Sequence, residues 1–285
     1  MIDAHHHLWD PSRREYPWMA GEALDPIRHP YTVEDLRAVT KAAGVHATVL
    51  VQTDSSAEET EEFLATAAAE PVIAGVVGWV DLTAPDVADR LAELAERGPL
   101  VGIRHQAETE PDEDWLLRPA VMAGLSTVAA SGLVFDLLVR SPQLPAATEV
   151  ALRLPELRLV LDHAAKPPIA VGEWEPWASG VAALAGRENV VCKLSGLVTE
   201  ADWSGWEVAH LRRYVDHVLE VFGPSRLLFG SDWPVCELAA SYELVLDAAI
   251  ALTGSLSDAE RLAVFEHNAR ATYGLDAGGA TSSRG

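Results

Sequence analysis

Histidine and aspartate residues follow several short apolar runs of this sequence, and their side chains can carry acid–base or metal chemistry. The first apolar run leads into His5-His6-His7, a later run into His163 and the last into Asp232. An imidazole can donate a hydrogen bond to a reacting oxygen or bind a metal, and a carboxylate can take a proton from water. The spacing therefore predicts a polar site whose catalytic residues are Asp232, His163, His5 and His7.

The histidine triplet begins at position 5 within a strand pattern, so a purification tag is a poor explanation for it. Alternate side chains of a strand share a face, so His5 and His7 should point together while His6 points away. The alternative for either histidine alone is packing in a polar layer. Because His163 and Asp232 accompany the pair, we favour a functional role.

Asp232 comes directly after the apolar run 227–231. Burial at this place would raise its affinity for a proton while nearby histidines would lower it, and this balance tunes a general base. The alternative is a structural cap of the short segment around Pro234. We favour the general base.

Three cations follow other apolar runs and are predicted to bind substrate. Arg104 and Lys193 end two different runs. Pro167-Pro168 fixes the loop after Lys166 in an extended form, which would aim this lysine inward, and solvent exposure is the alternative for it. A buried cation at such a place serves either an anionic ligand group or an internal carboxylate. Asp136 and Asp162 are the candidate internal partners, so both roles stay open for Arg104 and Lys193.

Nine tryptophans occur in the chain, and several follow apolar runs. Trp9 and Trp233 are predicted to stack on a sugar-like ring, because a flat apolar ring suits that surface. Core packing is the alternative for each one singly.

The positions of these residues indicate a parallel barrel. Short runs rich in Val, Ile and Leu alternate with longer stretches of helical period, as in repeated βα units. Eight strands are predicted, over Ile2–His5, Ala47–Gln52, Val72–Trp79, Leu100–Arg104, Leu133–Leu138, Arg158–Asp162, Val190–Leu194 and Leu227–Gly230. Helices are predicted over Val33–Ala43, Ala57–Ala69, Asp86–Arg97, Ala120–Ser131, Leu144–Leu154, Val181–Gly186, Glu207–Phe222 and Tyr242–Leu252. Eight strand–helix units predict an α/β (β/α)8 TIM barrel, whose strand ends share one mouth.

Length and composition fit one large domain over residues 1–275, followed by a loose tail over 276–285. Hydrophobic residues make up 49% of the 285 residues, and the formal net charge is -22. This charge argues against nucleic acid and membrane partners, while a homo-oligomer stays open. The chain carries only two cysteines and its longest apolar run is Val72–Val80, so we expect a cytoplasmic protein without a membrane span.

Five motifs resemble the amidohydrolase superfamily, specifically its branch of amidohydrolase-related lactonases that act on L-fuconolactone, L-rhamnonolactone and pyrone-dicarboxylate lactone. They are Ile2-Asp3-Ala4-His5-His6-His7-Leu8-Trp9, Gly102-Ile103-Arg104-His105, Leu161-Asp162-His163-Ala164-Ala165-Lys166-Pro167-Pro168, Cys192-Lys193-Leu194-Ser195-Gly196 and Phe229-Gly230-Ser231-Asp232-Trp233-Pro234. The resemblance covers residues 1–275 and implies a distorted (β/α)8 barrel that hydrolyses a cyclic ester. By motif position it implies that Asp232 activates water and that His5, His7 and His163 surround it.

The resemblance also limits the number of metal ions that this site is expected to bind. Relatives that depend on metal commonly add a lysine or glutamate from the fourth strand, whereas Arg104 stands there in this sequence. We therefore expect either no required cofactor or one divalent cation, most simply zinc, bound by His5, His7, His163 and Asp232. The expected function is hydrolysis of a small sugar-derived lactone. The rivals are a metal-dependent decarboxylase or amide hydrolase on the same scaffold and a non-catalytic ligand-binding barrel.

Overall fold

A computed structural model of the chain describes residues 1–275 and contains eight parallel strands in one sheet. The strands are β1 (Ile2–His6), β2 (Ala47–Val51), β3 (Ile73–Gly78), β4 (Leu100–His105), β5 (Val134–Leu137), β6 (Leu159–Leu161), β7 (Val190–Leu194) and β8 (Leu227–Phe229). Each lies within one residue of its predicted bounds, because strands buried on both faces read as short, nearly continuous apolar runs. Each strand pairs with the next one in the chain.

The sheet closes where β8 meets β1, which confirms the predicted (β/α)8 barrel. The His7 amide donates to the Trp233 carbonyl over 2.7 Å, and the Asp232 amide donates to the His5 carbonyl over 2.8 Å. The residues that close the barrel are therefore also the residues predicted to form the site.

Helices follow the strands in turn. They are α1 (Val33–Ala43), α2 (Ala57–Ala69), α3 (Val87–Arg97), α4 (Pro119–Ala130), α5 (Leu144–Arg153), α6 (Trp177–Ala185), α7 (Val208–Phe222) and α8 (Tyr242–Leu252). Seven of them match their predicted bounds to within one residue at either end. Helix α6 starts four residues before the predicted Val181, because the indole of Trp177 is buried and donates to the Ala164 carbonyl.

The C-terminal helical segment was not among the predicted elements, and it plugs the barrel. It consists of α9 (Asp258–Leu262), a π-helical turn (Ala263–His267) and α10 (Asn268–Tyr273). Tyr273 packs with Val134, Val160 and Leu228 in an apolar cluster inside the barrel. Its hydroxyl donates to the Asp136 carboxylate over 3.0 Å. The plug therefore supports the polar layer that lies above it.

An irregularity in β1 turns the first histidine toward the barrel interior. The register between β1 and β2 shifts between Asp3 and His6. Ala4 packs in the inner apolar cluster, and the next residue, His5, also points inward, where it contacts Asp162 and Lys193. A β-bulge re-aims side chains in this way.

The single-domain assignment of residues 1–275 stays a prediction, and the predicted tail over 276–285 lies outside the described residues. Among residues 1–275, none of the helices has the length and apolar character that a membrane span requires.

His6 provides a stability test, because it is fully buried and neither ring nitrogen has a hydrogen-bond partner in the described chain. Burial lowers its pKa to about 3, whereas the unfolded chain binds this proton near pH 6.5. Stability is therefore full above pH 6.5 and is lost as the pH falls toward 3, by about 1.4 kcal/mol per pH unit for one histidine. We expect His6→Leu to reduce the pH slope of the unfolding free energy by this amount between pH 6 and pH 4.

Urea unfolding at pH 6, 5 and 4 measures the slope. The control is His267→Leu at an exposed position, which should keep the wild-type slope. An unchanged slope in His6→Leu would show that His6 already binds a proton in the folded protein.

Candidate active site

A cavity of about 360 Å³ opens at the C-terminal ends of the strands. Five of the predicted site residues line it: His7, Arg104, His163, Lys166 and Asp232. Active sites of this barrel type lie at the same end, because the βα loops meet there.

Asp232 is held in a strained backbone conformation by a buried carboxylate. Its φ is +57°, an uncommon value for a residue other than glycine. The Asp3 carboxylate accepts hydrogen bonds from the Ser231 amide over 2.8 Å, from the Ser231 hydroxyl over 2.6 Å and from the Tyr242 hydroxyl over 2.8 Å. These bonds fix the residue before Asp232 and so direct its side chain into the cavity.

Three imidazoles surround the Asp232 carboxylate. Its Oδ1 lies 3.4 Å from His7 Nε2, 3.7 Å from His5 Nε2 and 3.9 Å from His163 Nε2. The rings of His5 and His7 contact edge to face, with 4.8 Å between their centroids. The structure thus brings together the four residues that the sequence nominates as catalytic.

His163 reaches the cavity from a left-handed turn. Residues 163–166 all have φ between +49° and +58°, and such a run of non-glycine residues is costly. The Ser195 hydroxyl lies 2.8 Å from His163 Nδ1 and fixes the ring. Gly196 is required beside it, because a Cβ there would lie 2.6 Å from His163 Nδ1.

The electrostatic environment keeps these imidazoles neutral and makes Asp232 a stronger base. Burial lowers the pKa of His7 to about 3 and that of His163 to about 4, and it lowers the pKa of His5 well below its usual value. Burial also raises the pKa of Asp232, although His163, Lys166 and Arg104 oppose the rise.

A buried ionic network forms the floor of the site. Lys193 Nζ lies 2.6 Å from Asp136 Oδ2 and 2.9 Å from Asp162 Oδ1, and Arg104 Nη1 lies 3.1 Å from Asp162 Oδ2. Burial raises the pKa of Asp136 to about 6. Burial has the same effect on Asp162, but Lys193, His5 and Arg104 outweigh it and hold the pKa of Asp162 well below its usual range. Both carboxylates are therefore ionised at neutral pH, and the network is neutral overall.

Each ring nitrogen of His5 faces one donor and one acceptor. Its Nδ1 lies 3.0 Å from Lys193 Nζ and 3.3 Å from Asp162 Oδ1. Its Nε2 lies 3.4 Å from Arg104 Nη1 and 3.1 Å from His7 Nε2. His7 Nδ1 donates to the Val51 carbonyl, so neutral His7 presents a lone pair at Nε2. Either neutral tautomer of His5 is accommodated, with Nε2 as a donor or as a metal ligand.

One divalent cation fits the residues present. His5, His7 and Asp232 each offer a ligand atom, and the three atoms are 3.1, 3.4 and 3.7 Å apart. Zinc binds imidazole at about 2.0–2.1 Å, so ligands around one tetrahedral ion stand roughly 3.4 Å apart. The neutral imidazoles and the hydrogen bond from His7 to Val51 also suit a metal ligand.

Three residues predicted to bind substrate do not line the cavity. Lys193 is fully buried in the ionic network, so of its two open roles the structure shows the internal ion pair. The Trp9 indole donates to backbone carbonyls of the β1–α1 loop, and the Trp233 indole donates to Glu237 over 2.7 Å. Both rings are buried in the core because this loop folds over them, and Trp18 and Trp203 line the cavity instead.

Sequence reasoning missed several other lining residues, including Glu108, Arg140 and Glu200. They lie in loops several residues after their strands, where a strand-end criterion does not reach.

The sequence matches the family model described as Amidohydrolase over residues 2–275. It is 40% identical to an L-fucono-1,5-lactonase of Burkholderia multivorans, with 96% of each chain covered. It is 41% identical to an L-fucono-1,5-lactonase of Burkholderia ambifaria, with 85% of this chain and 82% of that one covered. An amidohydrolase of Burkholderia multivorans, solved with bound zinc, superposes with a TM-score of 0.91 at 38% identity, over 96% of this chain and 99% of that chain. With its barrel, its ring of imidazoles around Asp232 and this match over nearly its whole described length, the chain belongs to the amidohydrolase family.

Proposed function

We propose that this protein hydrolyses a sugar-derived lactone, an aldonolactone such as L-fucono-1,5-lactone, with Asp232 as the general base. The observation that carries the proposal is the buried Asp232 carboxylate, which faces the cavity among three neutral imidazoles. The two L-fucono-1,5-lactonases at about 40% identity support the lactone as substrate.

Asp232 has the position and the basicity that water activation requires. Its carboxylate takes a proton from water as the water oxygen attacks the ester carbonyl carbon. The tetrahedral intermediate then collapses with cleavage of the bond between the carbonyl carbon and the ring oxygen. The proton held by Asp232 passes to that ring oxygen, so the hydroxy acid leaves and the carboxylate is regenerated.

His5 and His163 stabilise the oxyanion that forms during attack, whereas neutral His7 presents only a lone pair at Nε2. Because the pKa values of His5, His7 and His163 are lowered, these rings act as neutral hydrogen-bonding groups near neutral pH. His5 donates through Nε2 in the tautomer that accepts from Lys193 at Nδ1. Donors fixed in place before the reaction stabilise developing charge without reorganisation.

A single divalent cation, with zinc as the simplest choice, would be held by His5, His7 and Asp232, with His163 beside them. When bound, it supplies Lewis-acid polarisation of a carbonyl oxygen. A second cation is disfavoured, because Lys193 Nζ already lies between Asp162 Oδ1 and His5 Nδ1. An ester ring needs less activation than an amide, so the reaction does not depend on the metal.

The cavity suits a hydroxylated ring of one sugar. Charged groups occupy part of its wall, while Leu24, Leu138, Val235 and the two indoles of Trp18 and Trp203 supply an apolar surface. Such a mixed wall is typical of small-molecule sites. The rival decarboxylase and amide hydrolase functions find no support among the relatives at about 40% identity.

Asp232→Asn tests the general base. The amide is nearly isosteric but takes no proton, so we expect kcat for aldonolactone hydrolysis to fall by about 10²-fold or more. Acid release in a pH-stat assay measures kcat, and thermal unfolding checks the fold. The matched control is Asp112→Asn, which removes a carboxylate from a surface ion pair and should keep full activity. A variant at position 232 that keeps a tenth of wild-type kcat would contradict the role.

Lys166→Met tests the electrostatic tuning of Asp232. The positive charge of Lys166 lowers the pKa of Asp232, so its removal should raise that pKa. The reaction needs the ionised carboxylate, so the acid limb of kcat/KM should move to higher pH. Profiles between pH 4 and pH 8 measure the limb, with Lys41→Met on the exposed surface of α1 as the control. A limb that stays in place would show that Lys166 does not act on Asp232.

Chelation tests the metal. We expect the protein to retain most of its turnover after thorough treatment with a chelator, because Asp232 and the imidazoles remain in place. Elemental analysis before treatment should find at most one divalent ion per chain. Two ions per chain, or a complete loss of turnover that only zinc restores, would show that the reaction depends on metal.

A further inference from the structure

Four charged side chains form a continuous line along the wall of the cavity, and the catalytic scheme does not use their ion pairs. Glu108 follows β4, Arg140 follows β5, Lys166 follows β6 and Glu200 follows β7. All four line the cavity. We call them the charged arc.

The ion pairs of the charged arc occupy both of its cations. Lys166 Nζ donates to Glu108 Oε1 over 2.6 Å, and Arg140 Nε lies 3.1 Å from Glu108 Oε2. Arg140 Nη1 and Nη2 donate to the two carboxylate oxygens of Glu200 over 3.2 and 3.4 Å. All three nitrogens of the Arg140 guanidinium therefore face carboxylates, so none of its edges is left to bind a substrate carboxylate as a fork.

The cation that lies deeper in the cavity is also paired with a carboxylate. Arg104 is paired with Asp162, so each lysine and arginine that lines the cavity contacts a carboxylate of the protein. Asp232, by contrast, has only histidines as ion-pair partners in residues 1–275. A substrate carboxylate would meet the negative charge of Asp232 and no cation free to compensate it, and such unpaired charge is costly in a desolvated site.

We propose that the charged arc makes the site selective for uncharged lactones, with Glu108 as the specificity-determining residue. This inference rests on the proposed lactonase function. Glu108 holds this position because its two oxygens neutralise Lys166 and Arg140 at once. The paired side chains of the charged arc can still donate hydrogen bonds to substrate hydroxyls and accept them. The charged arc therefore binds a polyhydroxylated ring and rejects one that carries a carboxylate.

The pairing of Lys166 with Glu108 is the stronger part of the charged arc. Their side chains are 18% and 14% exposed, whereas that of Arg140 is 47% exposed. Water and salt screen the Arg140 pair more than the Lys166 pair. Loss of the Glu108 charge should therefore change substrate choice more than loss of the Glu200 charge.

The test compares two lactones of equal ring size and stereochemistry. One is an aldonolactone, and the other is the aldarolactone that carries a carboxylate in place of the terminal hydroxymethyl group. We expect the wild type to prefer the aldonolactone in kcat/KM. Glu108→Gln should lower this preference by about tenfold, the effect of one partly buried charge pair, chiefly through a lower KM for the aldarolactone. Glu200→Gln should lower it less.

The control is Glu149→Gln, which makes the same charge change in a surface pair with Arg153 and should keep the wild-type preference. Added salt should reduce the gain of Glu108→Gln on the aldarolactone, a response that a merely structural change would not produce. The inference would be overturned if Glu108→Gln, shown by thermal unfolding to be folded, kept the wild-type preference. Equal kcat/KM for both lactones in the wild type would also overturn it.

A protein that hydrolyses neither lactone would overturn the proposed function, and the charged arc is then tested by binding. Calorimetry with the two matching lactams, which resist hydrolysis, gives the Kd of the uncharged and of the carboxylate-bearing ring. Tighter binding of the uncharged lactam, reduced in Glu108→Gln, supports the inference. Equal binding of both lactams overturns it.

Discussion

The Lys193 ammonium lies at the floor of the cavity among Asp136, Asp162 and His5, with no exposure to solvent. It balances the charge of carboxylates that could not otherwise remain ionised in the barrel interior. Removal of one partner from such a buried network typically costs about 3–5 kcal/mol. Because the floor is neutral as a whole, it imposes no net charge on the histidines above it. Their own burial then keeps them uncharged and leaves Asp232 as the base in the proposed mechanism.

The local backbone conformation completes the positioning of the side chains in the candidate site. The bulge in β1 turns His5 inward, the left-handed turn over residues 163–166 presents His163 and Lys166, and Asp232 itself has a positive φ. Each of these residues with a positive φ costs about 1–3 kcal/mol and persists only when surrounding contacts fix it. The contacts are visible in the hydrogen bonds to Asp3 and in the bond between Ser195 and His163. The groups proposed to be catalytic therefore depend on side chains, those of Asp3 and Ser195, that do not line the cavity.

Much of this arrangement could be predicted from the sequence, because short apolar runs indicate the strands and longer stretches of helical period indicate the helices. Buried parallel strands read as short apolar runs, and polar residues at their ends must share one mouth, which brings His5, His7, His163 and Asp232 together. The side-chain environments could not be predicted in this way. Trp9 follows a strand as a site residue would, yet the β1–α1 loop folds over it, and a loop path has no periodicity to reveal it. The ion pairs of Glu108 depend on where three loops meet, which no local pattern encodes.

The plug of the barrel links the site to the order in which the chain is made. The hydroxyl of Tyr273, in α10, donates to Asp136, which in turn pairs with Lys193 beneath His5 of the first strand. Groups from both ends of the described chain thus meet under the histidines of the candidate site. During synthesis, the first strand leaves the ribosome more than 250 residues before Tyr273 does. A nascent chain that has formed all eight strands still lacks one hydrogen-bond donor at its floor, so the site becomes complete only after α10 has been synthesised.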